Sequence, residues 1–454
     1  MFIGREKELV LLQQDYVGKA LMVYGKRRVG KTTLIQKALN CCPYQTVYFE
    51  CLKGTIQENI DGLVDELVRA KILPVALSFN TLQDVFIYLN ALPQKMVVVI
   101  DEYPYLKVMN EPTTVDSVFQ SIVDNRLKNI ELILSGSHIG MMKDLLQEKN
   151  ALYGRFAVTI KLNELNYLDT TKFYPDKTPY DKVAHYAVFG GSPFVNQALR
   201  PTATLRENIV STILNPVSAV YLYASQLLLS DYSVKINAER IFAVIGNGKK
   251  RYSEIEDKLD VKKTGNLAKQ MKPLRNLEII SRNYPINKLN DSKKSTFEIN
   301  DNLLRFYFTF IYKNASALQV LGAEAFYDEY VAPTLTDFIS RRFEGICRDY
   351  FSLQVRSGKL KGVRNIGSYY YDDPVHRKNG EFDVALELAD GYAIYEAKYY
   401  AQPMTLDEIH REAQQVANIK ELAVKQLGFI AINGFVEQEK PYTYLDGNDI
   451  FAGM

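Results

Sequence analysis

The sequence has no tryptophan and few cysteines, and its cysteines lack the spacing that a metal or redox site requires. Cys41, Cys42, Cys51 and Cys347 form no C-x-x-C pair and no zinc-binding pattern among the 454 residues. The adjacent Cys41 and Cys42 are explained more simply as small core residues than as a redox pair. The cysteine pattern therefore indicates neither a zinc site nor disulfide chemistry.

Long hydrophobic runs and a large net charge are absent as well. No apolar run approaches the roughly 20 residues that cross a bilayer, and the first eight residues are charged too early for a signal peptide. The formal net charge is only +2, so any surface that binds nucleic acid must be local. We therefore expect a cytoplasmic protein with no membrane partner.

What remains is ordinary globular composition, with 47% hydrophobic and 24% charged residues. A chain of this length is too long for a single core, and its pattern predicts a multidomain α/β protein. The predicted domains are residues 1–162, 163–230, 231–315 and 316–454.

The strongest motif is Gly25–Thr32, which reads GKRRVGKT and fits the phosphate-binding P-loop pattern G-x-x-x-x-G-K-[ST]. Gly25 and Gly30 allow consecutive backbone N–H groups to point at phosphate oxygens. Lys31 is expected to reach the β- and γ-phosphates of ATP, and the Thr32 hydroxyl to ligate Mg²⁺. The pattern places the remaining nucleotide contacts at Lys26, Arg27, Arg28, Val29 and Thr33.

A second nucleotide motif follows in Met96–Ile100, an apolar run that ends in Asp101 and Glu102. A continuous apolar run is typical of a central parallel strand, and ligands gather at the carboxyl ends of such strands. We expect Asp101 to face Mg²⁺ and Glu102 to polarise the attacking water as a general base. Acidic residues that merely cap a strand are the alternative, and the preceding P-loop makes it the weaker one.

Another buried strand, Ile130–Leu134, leads into Ser135 and Ser137. In hydrolytic P-loop proteins a polar side chain at this place senses the γ-phosphate, so either serine is a candidate. Simple turn chemistry remains an equal alternative. Arg155 lies between a predicted helix, Met141–Leu152, and a predicted last strand.

Together these motifs resemble the archaeal-type ATPases, a branch of the AAA-class P-loop proteins, over roughly residues 1–230. The matching segments are Phe2–Glu6, Gly25–Thr32, Val98–Glu102, Leu134–Ser137, Tyr153–Arg155 and Gly190–Pro193. One departure is Lys26, where proline is common.

The resemblance implies four further features. Residues 163–230 form a helical lid, and Ile3 and Gly4 contact the adenine, although an N-terminal arm packed on the sheet is the simpler explanation. Arg155 acts as an arginine finger that completes a neighbour's site, which implies a homo-oligomer; a surface salt bridge is the equal alternative. The ligands are ATP and ADP.

Residues 238–300 carry a helix-turn-helix pattern followed by two strand-like runs around a polar tip, as in a winged helix. Between Gly246 and Lys294 there are 13 Lys and Arg residues but only 6 Asp and Glu residues. This local excess favours DNA contact, although winged helices also bind proteins. The predicted DNA contacts are Lys262, Lys263, Lys269 and Lys272.

The last third has the order helix–strand–strand–strand–helix–strand, with Asp383 followed by Glu396-x-Lys398, and resembles the restriction-endonuclease-like fold of the PD-(D/E)-x-K nucleases. Glu396 and Lys398 share one face of their strand, and Asp383 comes from the neighbouring strand. The resemblance implies that Asp383, Glu396 and the helix residue Glu344 bind Mg²⁺ or Mn²⁺. Lys398 orients the attacking water or stabilises the scissile phosphate. No proline precedes Asp383, which departs from the pattern.

The sequence therefore predicts an ATP-hydrolysing AAA-class ATPase that acts on DNA and carries a C-terminal metal-dependent nuclease-like domain. The alternative is an ATP-switched DNA-binding or signalling regulator whose nuclease-like domain is catalytically inactive.

Overall fold

The computed structural model describes residues 2–230, 238–246, 248–260, 266–373 and 375–452. It contains two compact units, Met1–Leu165 with Ser192–Phe194, and Asn166–Gly191 with Val195–Met454. In the described part of the chain, no helix is long and apolar enough to cross a membrane.

The first unit is built on a five-stranded parallel sheet, which confirms the predicted α/β class. The strand order is β2-β3-β4-β1-β5. Its strands are β1 (Ala20–Tyr24), β2 (Gln45–Glu50), β3 (Met96–Asp101), β4 (Ile130–Gly136) and β5 (Phe156–Lys161). Its helices are α1 (Glu6–Leu12), α2 (Lys31–Leu39), α3 (Ile56–Arg69), α4 (Leu82–Ala91), the 3-10 turn Tyr103–Lys107, α5 (Pro112–Asn125) and α6 (Ile139–Asp144).

Alternate residues of the central strands enter separate hydrophobic clusters. Ala20 and Met22 of β1 join one cluster, whereas Leu21 and Val23 join another. Because successive strand residues point to opposite faces, this division shows that apolar helices cover both sides of the sheet. The continuous apolar runs of β1, β3 and β4 follow from this double burial.

The helix after β4 is shorter than predicted, since α6 ends at Asp144 and not at Leu152. The Asn150 side chain accepts a hydrogen bond from the Leu152 backbone N–H at 2.9 Å and donates to Asp116 at 2.8 Å. An asparagine that bonds nearby backbone competes with helix formation. The residues before Arg155 are therefore turns.

The second unit begins with helices and continues into two sheets. Its helices are α7 (Tyr167–Thr170), the 3-10 turn Thr171–Phe173, α8 (Pro179–Phe189), α9 (Pro193–Gln197, whose first two residues group with the first unit), α10 (Leu205–Ser211), α11 (Ala219–Ser230), α12 (Ala238–Ile245), α13 (Tyr252–Leu259), α14 (Asn266–Asn276), α15 (Asn302–Phe306) with the π-helical Tyr307–Ile311 and the 3-10 turn Tyr312–Asn314, α16 (Ala315–Phe326) with the π-helical Tyr327–Val331, α17 (Ala332–Arg356), α18 (Leu406–Ala417) and α19 (Gly447–Phe451).

The smaller sheet has the order β6-β8-β7, from β6 (Lys250–Arg251), β7 (Ile280–Asn283) and β8 (Thr296–Ile299). β6 lies between α12 and α13, and β7 and β8 follow α14, where the sequence predicted two strand-like runs. Leu267 and Met271 of α14 are buried, whereas Lys269 and Lys272 are exposed. The predicted contacts Lys262 and Lys263 lie outside the described residues.

The larger sheet has the order β13-β12-β11-β10-β9, from β9 (Asn365–Asp373), β10 (Lys378–Glu387), β11 (Tyr392–Lys398), β12 (Val424–Ala431) and β13 (Thr443–Asp446). β10 is antiparallel to β9 and β11, and β12 is parallel to β11 and β13. The predicted helix–strand–strand–strand–helix–strand order is present from α17 to β12. The sequence did not predict β13 or α19, because four half-buried residues give little periodic signal.

Candidate functional site

The P-loop connects β1 to α2, and its two glycines are required by geometry. A Cβ atom on Gly25 would lie 2.1 Å from the backbone oxygen of Leu162, so no larger residue fits. Gly30 has φ of 93°, a conformation that L side chains rarely adopt. The loop then enters α2 at Lys31, where the helix N-terminus favours a bound anion.

Lys31 is buried inside this loop and held by three acceptors. Its Nζ donates to the carbonyl oxygens of Gly25 and Lys26, each at 3.0 Å, and to Ser137 Oγ at 2.8 Å. Only 6% of the residue is exposed. The ammonium is thus fixed at the loop by hydrogen bonds that phosphate oxygens can replace.

The carboxyl end of β3 brings two acids to the same place. Thr32 Oγ1 donates to Asp101 Oδ2 at 3.2 Å, and the Tyr48 hydroxyl also contacts that oxygen. Glu102 adopts a left-handed conformation, with φ of 50°, and its backbone N–H donates to Asp101 Oδ1 at 2.9 Å. Asp101, at the end of β3, therefore meets Thr32 at the start of α2, and Glu102 is held beside Asp101.

Of the two candidate serines, Ser137 is the one that the structure connects to these groups. Its backbone N–H donates to Glu102 Oε2 at 3.1 Å, its hydroxyl contacts the other Glu102 oxygen, and it accepts from Lys31. Ser135 is fully buried, and its Oγ has no hydrogen-bond partner among the described residues. The geometry thus favours Ser137 over Ser135 as the residue that responds to the nucleotide.

Negative charge is concentrated at these strand ends. Burial, together with the charges of Asp101 and Glu102, raises the pKa of Glu50. The same three causes raise the pKa of the Cys51 thiol. A hard divalent cation prefers oxygen ligands and relieves such repulsion, so the Thr32 hydroxyl and Asp101 carboxylate fit Mg²⁺.

The N-terminal arm and a second segment contact the P-loop backbone. Arg5 Nη2 donates to the Val29 oxygen at 3.3 Å, and Ser192 Oγ donates to the Arg28 oxygen at 3.2 Å. The Arg28 guanidinium lies 3.9 Å from the ring centre of Phe194. In the sequence, Gly190–Pro193 served only as one segment of the family resemblance, so the contacts of Ser192 and Phe194 with the P-loop were not predicted. Arg27 donates to the Tyr105 hydroxyl at 3.0 Å.

The adenine contacts predicted for Ile3 and Gly4 stay predictions. Ile3 is 9% exposed, and Gly4 has φ of 65°. The neighbouring Phe2 packs against the hydrophobic cluster that contains α2. This packing agrees with the simpler explanation, an arm that lies on the sheet.

Arg155 has a partner within its own unit. Its Nε and Nη2 donate to the two carboxylate oxygens of Asp124 at 2.8 and 3.0 Å. This bidentate pair, which raises the pKa of Arg155, is partly exposed. It matches the surface salt bridge that was the alternative, and the role of Arg155 as an arginine finger stays a prediction.

The register of β10 and β11 brings together Asp383 and Glu396, two of the residues predicted for the nuclease-like site. Val384 pairs with Tyr395, so Asp383 and Glu396 are the next residues along the two strands. The Ala397 backbone N–H, next to Glu396, donates to Asp383 at 3.3 Å. Burial and mutual repulsion raise the pKa of Glu396, and burial with the charge of Glu344 raises that of Asp383.

Lys398 lies between two glutamates. Its Nζ is 3.6 Å from Glu396 and 3.1 Å from Glu412 of α18. Burial lowers the pKa of Lys398, but these carboxylates raise it overall. Glu412 was missed by sequence reasoning, because it lies on α18, outside the Asp383 and Glu396-x-Lys398 pattern.

Glu344, the predicted third metal ligand, lies on α17 as expected and has a basic partner. Glu344 of α17 pairs with Lys249 at 3.4 Å. Within the described ranges, no group of three His, Cys, Asp or Glu side chains is placed to hold a metal ion. The charge of Glu344 nevertheless acts on Asp383, whose pKa it helps to raise, and the role of Glu344 as a metal ligand stays a prediction. Mg²⁺ commonly uses one or two carboxylates with substrate phosphates, so Asp383 and Glu396 still fit it.

Comparison with known proteins supports the ATPase prediction for the first unit. Residues 2–195 match a family model described as an ATPase domain predominantly from Archaea. Residues 307–414 match a model described as archaeal and bacterial proteins of unknown function. An uncharacterized protein of Methanocaldococcus jannaschii is 28% identical over 368 residues, which are 79% of each chain.

The fold is shared with a solved structure, the Walker-type ATPase of Pyrococcus abyssi, which has a TM-score of 0.52 and 21% identity, over 68% of this chain and 96% of that one. The ORC2 protein of Aeropyrum pernix, in ADPNP–ADP complexes, has a TM-score of 0.44 and 11% identity, over 70% and 94%.

The match of residues 2–195 to an ATPase-domain model and the P-loop geometry support the ATPase core that the motifs of residues 1–162 predicted. The family model that matches residues 307–414 describes proteins of unknown function, so this match assigns no function to the second unit. The winged-helix and nuclease assignments therefore stay predictions.

Proposed function

We propose that this protein binds and hydrolyses ATP at the P-loop and uses the hydrolysis to act on DNA. The observation that carries the proposal is the convergence of Lys31, Thr32, Asp101, Glu102 and Ser137 at the ends of three elements. A P-loop that only binds phosphate has no need for a carboxylate and a hydroxyl linked in this way.

Each residue has a separate task in this proposal. The backbone N–H groups between Gly25 and Thr32 cradle the phosphates, and Lys31 exchanges its carbonyl and Ser137 acceptors for phosphate oxygens. Mg²⁺, held by Thr32 and Asp101, neutralises phosphate charge when it is bound. Glu102, oriented by Ser137, accepts a proton from the attacking water.

The ATPase half is tested by Lys31→Ala in the full chain, with Lys37→Ala on the exposed side of the same helix as control. We expect Lys31→Ala to reduce kcat at least about 100-fold, because it removes a buried charge from the phosphate site. Lys37→Ala should hydrolyse ATP at the wild-type rate. An equal loss of kcat in both variants, or no loss in either, would contradict the assignment of Lys31 to the phosphate site.

Contact with DNA rests on the local basic charge and on the exposed Lys269 and Lys272 of α14. A Lys269→Glu/Lys272→Glu double variant should weaken duplex binding and reduce the slope of log affinity against log salt by about 1 to 2. Lys359→Glu/Lys361→Glu changes the charge equally at another exposed place in the unit. If both double variants lose affinity equally, α14 is not a specific DNA contact.

A metal-dependent nuclease is the second candidate, because Asp383, Glu396 and Lys398 meet on adjacent strands. Lys398→Ala and Asp383→Ala should each abolish Mg²⁺- or Mn²⁺-dependent nicking while ATPase activity persists. Lys425→Ala, which removes only an exposed pair with Asp390, is the control.

Wild-type protein that nicks neither DNA nor RNA with either metal would contradict the nuclease. The same result would favour an ATP-switched DNA-binding regulator with an inactive nuclease-like domain. That regulator would bind DNA with different affinity in its ATP-bound and ADP-bound forms.

A further inference from the structure

A cavity of about 330 Å³ lies in the second unit, and neither Asp383 nor Glu396 lines it. Arg305 and Thr309 line it from the helix that begins with α15, and Arg341 and Arg342 line it from α17. Phe310, Tyr330 and Phe338 add aromatic surface. The cavity thus combines positive charge with apolar walls.

Two of these arginines are buried and share a single carboxylate. Arg305 is 4% exposed and Arg342 is 8% exposed. Both donate to the same Glu298 oxygen, at 3.1 and 3.3 Å. Arg305 also donates from Nε to the Ile299 backbone oxygen at 3.1 Å. Glu298 thus pairs with both guanidinium groups, and Glu344, whose charge also acts on Arg342, is itself paired with Lys249. Positive charge is therefore in excess beside the cavity.

Each buried arginine also has an unused donor. Arg305 Nη1 and Arg342 Nε have no hydrogen-bond partner among the described residues. A buried donor without a partner is costly, and a buried charge is costlier still. Burial also lowers the pKa of Arg342. An anion in the cavity would satisfy both the charge and the donors.

We propose that this cavity binds a phosphate-monoester anion between Arg305 and Arg342. Guanidinium groups match phosphate because its several oxygens accept parallel N–H bonds. The aromatic walls suit a flat base attached to that phosphate. The volume is at the lower end of small-molecule sites, and the exposed Asp337 carboxylate at the rim opposes a continuous polyanion. A duplex therefore does not fit, whereas a mononucleotide or the 5′-phosphate of a strand end does.

The site is independent of the P-loop, so its test uses the full chain carrying Lys31→Ala to remove nucleotide binding there. Calorimetric titrations compare inorganic phosphate, AMP, and a short single-stranded oligonucleotide with either a 5′-phosphate or a 5′-hydroxyl. Tighter binding of AMP than of inorganic phosphate assigns the site to free nucleotide. A preference for the 5′-phosphorylated strand over its 5′-hydroxyl form assigns it to a strand end.

The decisive variant is Thr334→Glu. Thr334 is exposed on α17 and lines the cavity, so the new carboxylate occupies the mouth without touching the Glu298 network. Thr336→Glu, also exposed on α17 but outside the cavity lining, carries the same charge change and is the control. We expect Thr334→Glu to weaken binding at least about tenfold and Thr336→Glu to change it less than about twofold.

Arg342→Gln should also abolish binding, with thermal unfolding measured because it removes a partner of Glu298. The proposal is overturned if no phosphate ligand binds the Lys31→Ala chain. It is overturned equally if Thr334→Glu and Thr336→Glu bind alike.

Discussion

Ser137→Ala offers the sharpest probe of how the ATP site works. The Ser137 hydroxyl accepts from Lys31 Nζ at 2.8 Å and contacts Glu102, while its backbone N–H holds the other Glu102 oxygen. The substitution removes the hydroxyl links and keeps the backbone one. Hydrogen bonds to charged groups contribute about 1.5–3 kcal/mol, and each 1.36 kcal/mol of barrier is tenfold in rate. We therefore expect kcat for ATP hydrolysis to fall roughly 10- to 100-fold.

The chain provides a matched control two residues away. Ser135 is fully buried on the same strand end, and its Oγ has no partner among the described residues. Ser135→Ala should leave kcat and KM unchanged, and should not lower thermal stability, because it removes a hydroxyl without a partner.

Steady-state release of phosphate across a range of ATP concentrations separates kcat from KM for both variants. We expect KM for ATP to stay within about threefold for Ser137→Ala, since the P-loop backbone still binds the phosphates. A larger loss of kcat in Ser135→Ala than in Ser137→Ala would refute the assignment of Ser137.

The remaining predictions concern stability and the role of Arg155. Burial raises the pKa of Glu131 from its usual 4.5 to about 7, so the folded state binds the proton more tightly than the unfolded state. The stability that this proton provides is present below about pH 4.5 and is lost as the pH rises through 7. Above pH 7, Glu131→Gln should therefore be more stable than the wild type by about 1–2 kcal/mol of unfolding free energy. Denaturant midpoints of both proteins at pH 5 and pH 8.5 measure this difference, and an equal gain at the two pH values would contradict the prediction. Arg155→Ala should cost less than about 1 kcal/mol, as Asp124→Ala should, because the pair is partly exposed. Mixing the Arg155→Ala and Lys31→Ala chains tests whether Arg155 of one chain completes the ATP site of a neighbouring chain. Recovered ATPase activity would establish this, and no recovery would favour action within one chain.

Much of the first unit could be predicted because its signals are local. The P-loop glycines, the apolar run before Asp101 and the strand before Ser135 each lie within one short segment. The choice between Ser135 and Ser137 could not be made, since the two serines are two residues apart at one strand end, a spacing that predicts the same side for both. Only the position of Glu102, in a left-handed conformation after β3, decides which serine it meets.

The second unit was less accessible to sequence reasoning because its sites are assembled from distant residues. Asp383, Glu396 and Lys398 follow a strand pattern and were predicted, but Glu412 approaches from a helix. Glu344 fits the pattern of a helix acid, yet Lys249, 95 residues away, pairs with it. The Arg305–Glu298–Arg342 network left no sequence signal, because its charges lie in separate elements that each look ordinary.

The most direct test of the central claim is the ATPase rate with and without duplex DNA, for the wild type and for Lys31→Ala. We predict that the wild type hydrolyses ATP, that duplex DNA changes this rate, and that Lys31→Ala hydrolyses ATP in neither condition. Hydrolysis by Lys31→Ala at the wild-type rate would contradict the P-loop site. A wild-type rate that is the same with and without DNA would contradict coupling to DNA and favour a signalling ATPase that acts through proteins alone.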